Sequence, residues 1–208
     1  MKNSEKKSRS TIKYAIIAIA AAIAVLALGY LLLYGFLFER NSPPAKRAED
    51  LPYLEIVRGA GEKYGVEMAR IYAVIQVESS FKPAAESKAG AIGLMQMLPA
   101  TYEELCEQTG NLFDPQDLKK PEINIDYCTS YLKTLYEYTG SWSWAHVAYF
   151  SGIGNVNTWR AQGYTLQTLP SDNARAYLDR IETAYDAYAL MFKNYVEKDA
   201  PPTGALNT

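Results

Sequence analysis

Glu78 closes an apolar helical run, and a polar loop rich in Gly and Ser follows it. Ile71, Val74, Ile75 and Glu78 fall at i, i+3, i+4 and i+7, so the four share one face of a helix. A carboxylate on an apolar face is costly to keep ionised. Burial raises its pKa, and so does the negative end of a helix dipole. A carboxyl that stays protonated near neutral pH is what a general acid requires. By position alone Glu78 reads either as such an acid or as a cap or ion-pair member in the core. The loop from Phe81 to Gly93 contains Gly90 and Gly93, which permit tight turns and close approach of another chain. Leu94-Met95-Gln96-Met97 then sets apolar side chains beside an amide. That mixture suits a sugar-binding groove, with polar partners over an apolar floor. It also suits a core loop in which Met fills gaps.

Other chemistry is sparse. Cys106, Cys128 and the single His146 offer no Cys-x-x-Cys or His-x-x-x-His spacing, so no metal site or cofactor is expected. A Ser-His-Asp triad would have to use His146, and no Gly-x-Ser-x-Gly motif supports it. His146 reads as a satisfied helix residue and not as a base. Residues 1–40 hold six Lys/Arg against Glu5 and Glu39, a net of +4, so the other residues carry −6 of the total −2. An acidic main domain argues against nucleic-acid binding, which needs a basic face.

The elements that must position Glu78 follow from the apolar pattern. Tyr14 to Phe38 is free of charged residues. As a helix it would extend about 37 Å, enough to cross a bilayer core of about 30 Å with some tilt. It exceeds a signal-peptide core of about 7–15 residues and lacks a small-x-small cleavage site, so an uncleaved anchor is expected. Lys2, Lys6, Lys7, Arg9 and Lys13 precede it, which keeps residues 1–13 cytoplasmic and turns the following domain outward. Residues 39–50, with Pro43-Pro44, read as a tether. A domain over residues 51–198 comes next, then a frayed tail, 199–208. Within the domain the spacing predicts helices over 51–65, 67–79, 99 to about 106, 121–138, 142 to about 151 and 173–197, with a turn at 111–115. Cys106 and Cys128 fall on two of these helices. They read as a disulfide closing a loop of about 20 residues or as two buried thiols.

The run Glu78-Ser79-x-Phe81-x-Pro83-x-Ala85-x-Ser87-x-x-Gly90-Ala91-x-Gly93-Leu94-Met95-Gln96, with Pro99 and Thr101, closely resembles the signature of the soluble lytic transglycosylase family. Two further stretches extend the resemblance. Asn124-Ile125 to Tyr131-Leu132 resembles a family helix motif, with Cys128 where Gly is usual. Ala148-Tyr149-Phe150-Ser151-Gly152 resembles the family's A-Y-N-A-G motif, with Phe150 in place of Asn and Ser151 in place of Ala. At the start of the last helix, Pro170, Arg175 and Tyr177 align with the family pattern, and Asn173 stands where Glu is usual.

The resemblance implies a mostly α, lysozyme-like helical domain behind a single N-terminal transmembrane helix. Its partners would be peptidoglycan glycan strands and, through that helix, the membrane. It further implies that Glu78 is catalytic, that Ser87 orients the acid or the substrate, and that Met95, Gln96 and Tyr149 line the saccharide groove. Phe150, Asn173 and Tyr177 occupy further substrate positions. Most glycosidases flank the bond with two carboxylates. Here the motif carries one, and Glu86, eight residues on, is not part of it. Help from the substrate's own N-acetyl group makes up the difference. The implied reaction cleaves the MurNAc-GlcNAc β-1,4 bond and leaves 1,6-anhydro-MurNAc. Two other readings stand beside it: a muramidase-type hydrolase, and a non-catalytic, membrane-anchored protein that binds peptidoglycan or assists assembly. Phe150 and Asn173 favour the last.

Overall fold

A computed structural model describes residues 47–199. The expected anchor at 14–38, residues 39–46 of the tether and residues 200–208 of the tail lie outside the described residues. Among the described residues, no helix is long and apolar enough to cross a membrane.

Seven α-helices are described: α1 Leu54–Tyr64, α2 Met68–Ser79, α3 Pro99–Thr109, α4 Pro121–Thr139, α5 Trp142–Ser151, α6 Ile153–Ala161 and α7 Asp172–Asp199. Their ends follow local chemistry. Gly65 closes α1, Gly110 α3 and Gly140 α4, each in the left-handed region. Pro99 and Pro121 open α3 and α4, where a missing N–H breaks no helical bond. The Ser141 hydroxyl accepts from the Trp144 N–H at the start of α5.

Helix α2 is the centre of the domain. Ala69 through Ile75 are all buried, including Arg70 and Tyr72. The long α7 packs along it, and α5 joins them; α4 supports α1 on one side and α5 on the other. An apolar stripe runs along α7, with Ala174, Tyr177, Ile181, Ala184 and Tyr188 buried. Tyr72 stacks on Tyr188, with ring centroids 5.3 Å apart.

Two features differ from the sequence reading, and a third decides between two readings left open. The stretch expected as tether already packs at its end: Ala48–Asp50 forms a 3-10 turn, Ala48 and Leu51 are buried, and the Tyr72 hydroxyl donates to the Pro52 carbonyl. The residues after Gly152 form a helix of their own, α6. Gly152, with φ 82°, turns the chain between α5 and α6. Cys106 and Cys128 are separate buried thiols, the second of the two arrangements considered.

His146 is not the satisfied helix residue the sequence suggested. It is fully buried on α5, and neither ring nitrogen has a hydrogen-bond partner among the described residues. Its Nδ1 lies 4.0 Å from Glu182 Oε1, which instead accepts from the Ser143 hydroxyl. Arg70 sits between the rings of Trp142 and Tyr185, its Cζ 4.5 Å and 4.1 Å from their centroids. Burial, and then the Arg70 charge, push the His146 imidazole down to about 3.

In the unfolded chain His titrates near 6.5. Below that pH the unfolded state takes up a proton that the folded state refuses. The contribution to stability is therefore complete above 6.5. It declines by about 1.4 kcal/mol per pH unit as the medium becomes more acid, until the folded group titrates. His146→Phe is expected to flatten the fall in stability between pH 6 and 4, measured by urea unfolding against the parent. An unchanged slope would mean that the ring is not held neutral.

Candidate active site

Glu78 lies in the last turn of α2, below the buried Ile71, Val74 and Ile75. Its carboxyl faces α7, and the Tyr177 hydroxyl donates to Glu78 Oε1 at 2.8 Å. Burial raises the carboxyl to about 7; the Tyr177 hydrogen bond and the nearby Arg180 charge pull the other way without offsetting it. A group poised there gives and takes a proton at neutral pH with little bias. No carboxylate is among the groups that shift Glu78. Glu86 is instead paired with Lys119 at 2.7 Å on the exposed loop.

The backbone beyond Glu78 is strained. Ser80 and Phe81, with φ 50° and 65°, lie in the left-handed region, as does Gln96 with φ 55°. Non-glycine residues there cost about 1–3 kcal/mol each and persist where surrounding packing imposes them. Ser80 and Phe81 turn the chain sharply off α2, and Gln96 bends it again shortly before α3.

Asn124 of α4 imposes much of that shape. It is fully buried. Its Oδ1 accepts from the Met95 N–H at 2.8 Å, and its Nδ2 donates to the carbonyls of Ile92 and Leu118 at 3.0 and 2.9 Å. Gly93, with φ 89°, passes so close that an added Cβ would meet the Leu118 carbonyl at 2.1 Å and Asn124 Nδ2 at 2.2 Å. The Tyr149 hydroxyl completes the support by donating to the Met95 carbonyl at 2.8 Å.

The expected site residues separate into groups. Glu78 and Tyr177 meet directly. Tyr177 was expected at the substrate; it is 1% exposed, because α7 packs its ring into the core, and its hydroxyl ends on Glu78. Phe150 lies flat on Tyr177, with centroids 4.6 Å apart and planes 17° from parallel. A cleft of about 270 Å³ is lined by Gln96, Thr101, Tyr131, Tyr149, Phe150 and Gly152, among others. Gln96 lines it while its amide donates to the carbonyls of Ala85 and Gly93.

Met95 does not line the groove with its side chain. It is fully buried, so it contributes only backbone groups, already held by Asn124 and Tyr149. Among the described residues Ser87 is seen to make no hydrogen bond with Glu78. Its hydroxyl accepts from the Ala91 N–H, and its own N–H donates to the Ala91 carbonyl, which closes the exposed turn. Asn173 is exposed at the start of α7, one turn before Tyr177, with no hydrogen bond from its side chain to the site among the described residues.

Asn124 and Arg180 were missed. Asn124 precedes Cys128 by four residues, on the buried face of α4. A polar residue at that phase was the available signal. Arg180 follows Tyr177 by three residues, and this shared helix face was the only hint.

Removing the Tyr177 hydroxyl deprives the carboxylate form of a donor. Tyr177→Phe is expected to push Glu78 above its present value by up to about one pH unit. Titration of the carboxyl by carbon-13 NMR would show this. An unchanged or lower value would deny the hydrogen bond its role.

With this geometry in place, comparison with known proteins defines the class. Residues 55–170, more than half of the chain, match the family model described as Transglycosylase SLT domain. The chain belongs to that family. Among individual relatives, it is 32% identical over 166 residues to membrane-bound lytic murein transglycosylase C of Pectobacterium atrosepticum, covering 65% of this chain and 46% of the relative. It is 37% identical over 136 residues to the protein of the same name from Serratia proteamaculans, covering 60% and 35%. The 70 kDa soluble lytic transglycosylase of Escherichia coli has a similar structure, with a TM-score of 0.63 and 27% identity over 70% of this chain and 25% of that one. The chain thus spans less than half the length of the relatives it matches.

Proposed function

We propose that this chain is a peptidoglycan lytic transglycosylase in which Glu78 is both acid and base. The observation that carries the reading is the partly buried Glu78 carboxyl, raised to about 7 and hydrogen-bonded to Tyr177, on whose ring Phe150 of the nearby cleft is stacked. Family membership and relatives named as lytic murein transglycosylases support it.

The reaction follows from having one carboxyl. The carbonyl oxygen of the MurNAc N-acetyl group attacks its own anomeric carbon. Glu78 gives its proton to the glycosidic oxygen, the C–O bond breaks, and GlcNAc leaves as an alcohol. Glu78, now a carboxylate, takes the proton of the MurNAc 6-hydroxyl. That oxygen bonds to the anomeric carbon and displaces the acetamido oxygen. The product is 1,6-anhydro-MurNAc, Glu78 is protonated again, and no water is consumed. The Tyr177 hydroxyl steadies the carboxylate between the two steps. In this reading Gln96, Tyr149 and Phe150 form the cleft wall against the glycan.

The domain is placed on the wall side of a membrane by the uncharged run at 14–38, with the basic residues before it on the cytoplasmic side. The names of the relatives, membrane-bound transglycosylases, support association with a membrane. Protease treatment of intact spheroplasts is expected to remove the domain and spare an epitope placed at the N-terminus.

Mass analysis of muropeptides from purified peptidoglycan tests the chemistry. Products lighter by one water than hydrolytic ones are expected. Hydrated reducing ends would point to a muramidase, and binding without turnover would point to a non-catalytic wall protein.

A further inference from the structure

Phe150 joins the cleft to Tyr177, the hydrogen-bond partner of Glu78. It is 44% exposed at the end of α5 and lines the cleft, while its ring lies nearly parallel to Tyr177. Tyr177 is only 1% exposed, and its hydroxyl ends on Glu78. Position 150 is also where the sequence departs from the family motif, which usually has Asn. An Asn would bring a hydrated amide to this spot, and Phe brings an apolar plate.

We propose that Phe150 is a positioning residue for the acid: its ring covers Tyr177 from the cleft side and keeps water away from the Tyr177–Glu78 pair. As a role in catalysis this rests on the reading of Glu78 as the acid. The other groups that face Glu78 do not compete for the part. Tyr177 and Arg180 come from α7, Tyr149 from α5 and Cys128 from α4. Arg180, an always-charged guanidinium, favours the carboxylate. Burial holds the two phenols and the thiol in their neutral forms. Burial is also the largest influence on Glu78, so whatever sets its access to water sets its proton affinity.

The test reads the Glu78 carboxyl directly in the free protein. Glutamate labelled with carbon-13 at the side-chain carboxyl is incorporated, and the Glu78 signal is assigned by its loss in Glu78→Gln. In the parent it is expected to titrate near 7. Phe150→Asn, and independently Phe150→Gln, should lower that midpoint by about one pH unit or more, because each admits water. Phe150→Leu, still apolar, should leave it within about half a unit of the parent. The pH profile of peptidoglycan cleavage should move down in parallel, with the loss at neutral pH falling on kcat more than on KM.

A midpoint unchanged or raised in both polar variants would overturn the proposal. The outcome separates from that of the parent reading. An inactive chain whose carboxyl still drops on Phe150→Asn would reject transglycosylation and keep the cover. An active chain whose carboxyl ignores the substitution would do the reverse.

Discussion

Glu78→Gln is expected to reduce cleavage of purified peptidoglycan by at least about a thousandfold, because the amide neither gives nor takes the proton that both steps need. The same change is expected to stabilise the protein at neutral pH. The carboxyl titrates near 4.5 in the unfolded chain and near 7 in the folded one. Below 4.5 both states are protonated, and the favourable linkage is complete. As the pH rises toward 7 the unfolded chain ionises and the folded one resists, so stability declines by up to about 3 kcal/mol. Gln carries no such penalty and is nearly the same shape. Urea unfolding should therefore find the variant about 2–3 kcal/mol more stable than the parent at pH 7, with the difference gone at pH 4. An acid that weakens its own fold at working pH is the signature of a functional carboxyl and not of a structural cap. A cap or ion pair would lose stability on the same change.

Asn124→Ala should have the largest effect on the fold. The side chain answers one backbone N–H and two carbonyls in a buried site: those of Met95, Ile92 and Leu118. Each buried group left without a partner costs about 1–3 kcal/mol, so a loss of about 4–6 kcal/mol is expected. That is a large share of the roughly 5–15 kcal/mol that holds a typical domain folded. Asn124→Asp should not rescue it. The carboxylate can still accept from Met95, but it would turn an acceptor toward the Ile92 and Leu118 carbonyls. Chemical denaturation measures both variants. A cost under about 1 kcal/mol for Asn124→Ala would mean that the loop holds its shape without this residue.

These two residues also mark how far the sequence could be read. Glu78 was legible because helical phase alone puts it on the face of Ile71, Val74 and Ile75. Asn124 was not, since tracing apolar residues along α4 passes over the one polar side chain buried among them. Met95 was placed in the groove by its motif, yet a loop has no period from which to learn which way a side chain points. Tyr177 was aligned, but its role depends on α7 meeting α2 across 99 residues of chain, a pairing no local pattern contains. His146 was judged by its rarity, and its burial without partners follows from packing on Arg70, Trp142 and Glu182. Local periodicity gave all the helices but α6 and the face on which Glu78 sits; which polar groups meet in the interior was set by long-range packing.

In the proposed reaction a single carboxyl closes the sugar ring and admits no water. Digestion of purified peptidoglycan in water enriched in heavy oxygen, followed by mass spectrometry of the muropeptides, tests it most directly. The expected result is 1,6-anhydro ends without heavy oxygen, formed by the parent and absent with Glu78→Gln. Reducing ends carrying one heavy oxygen, or anhydro products undiminished in the variant, would contradict it.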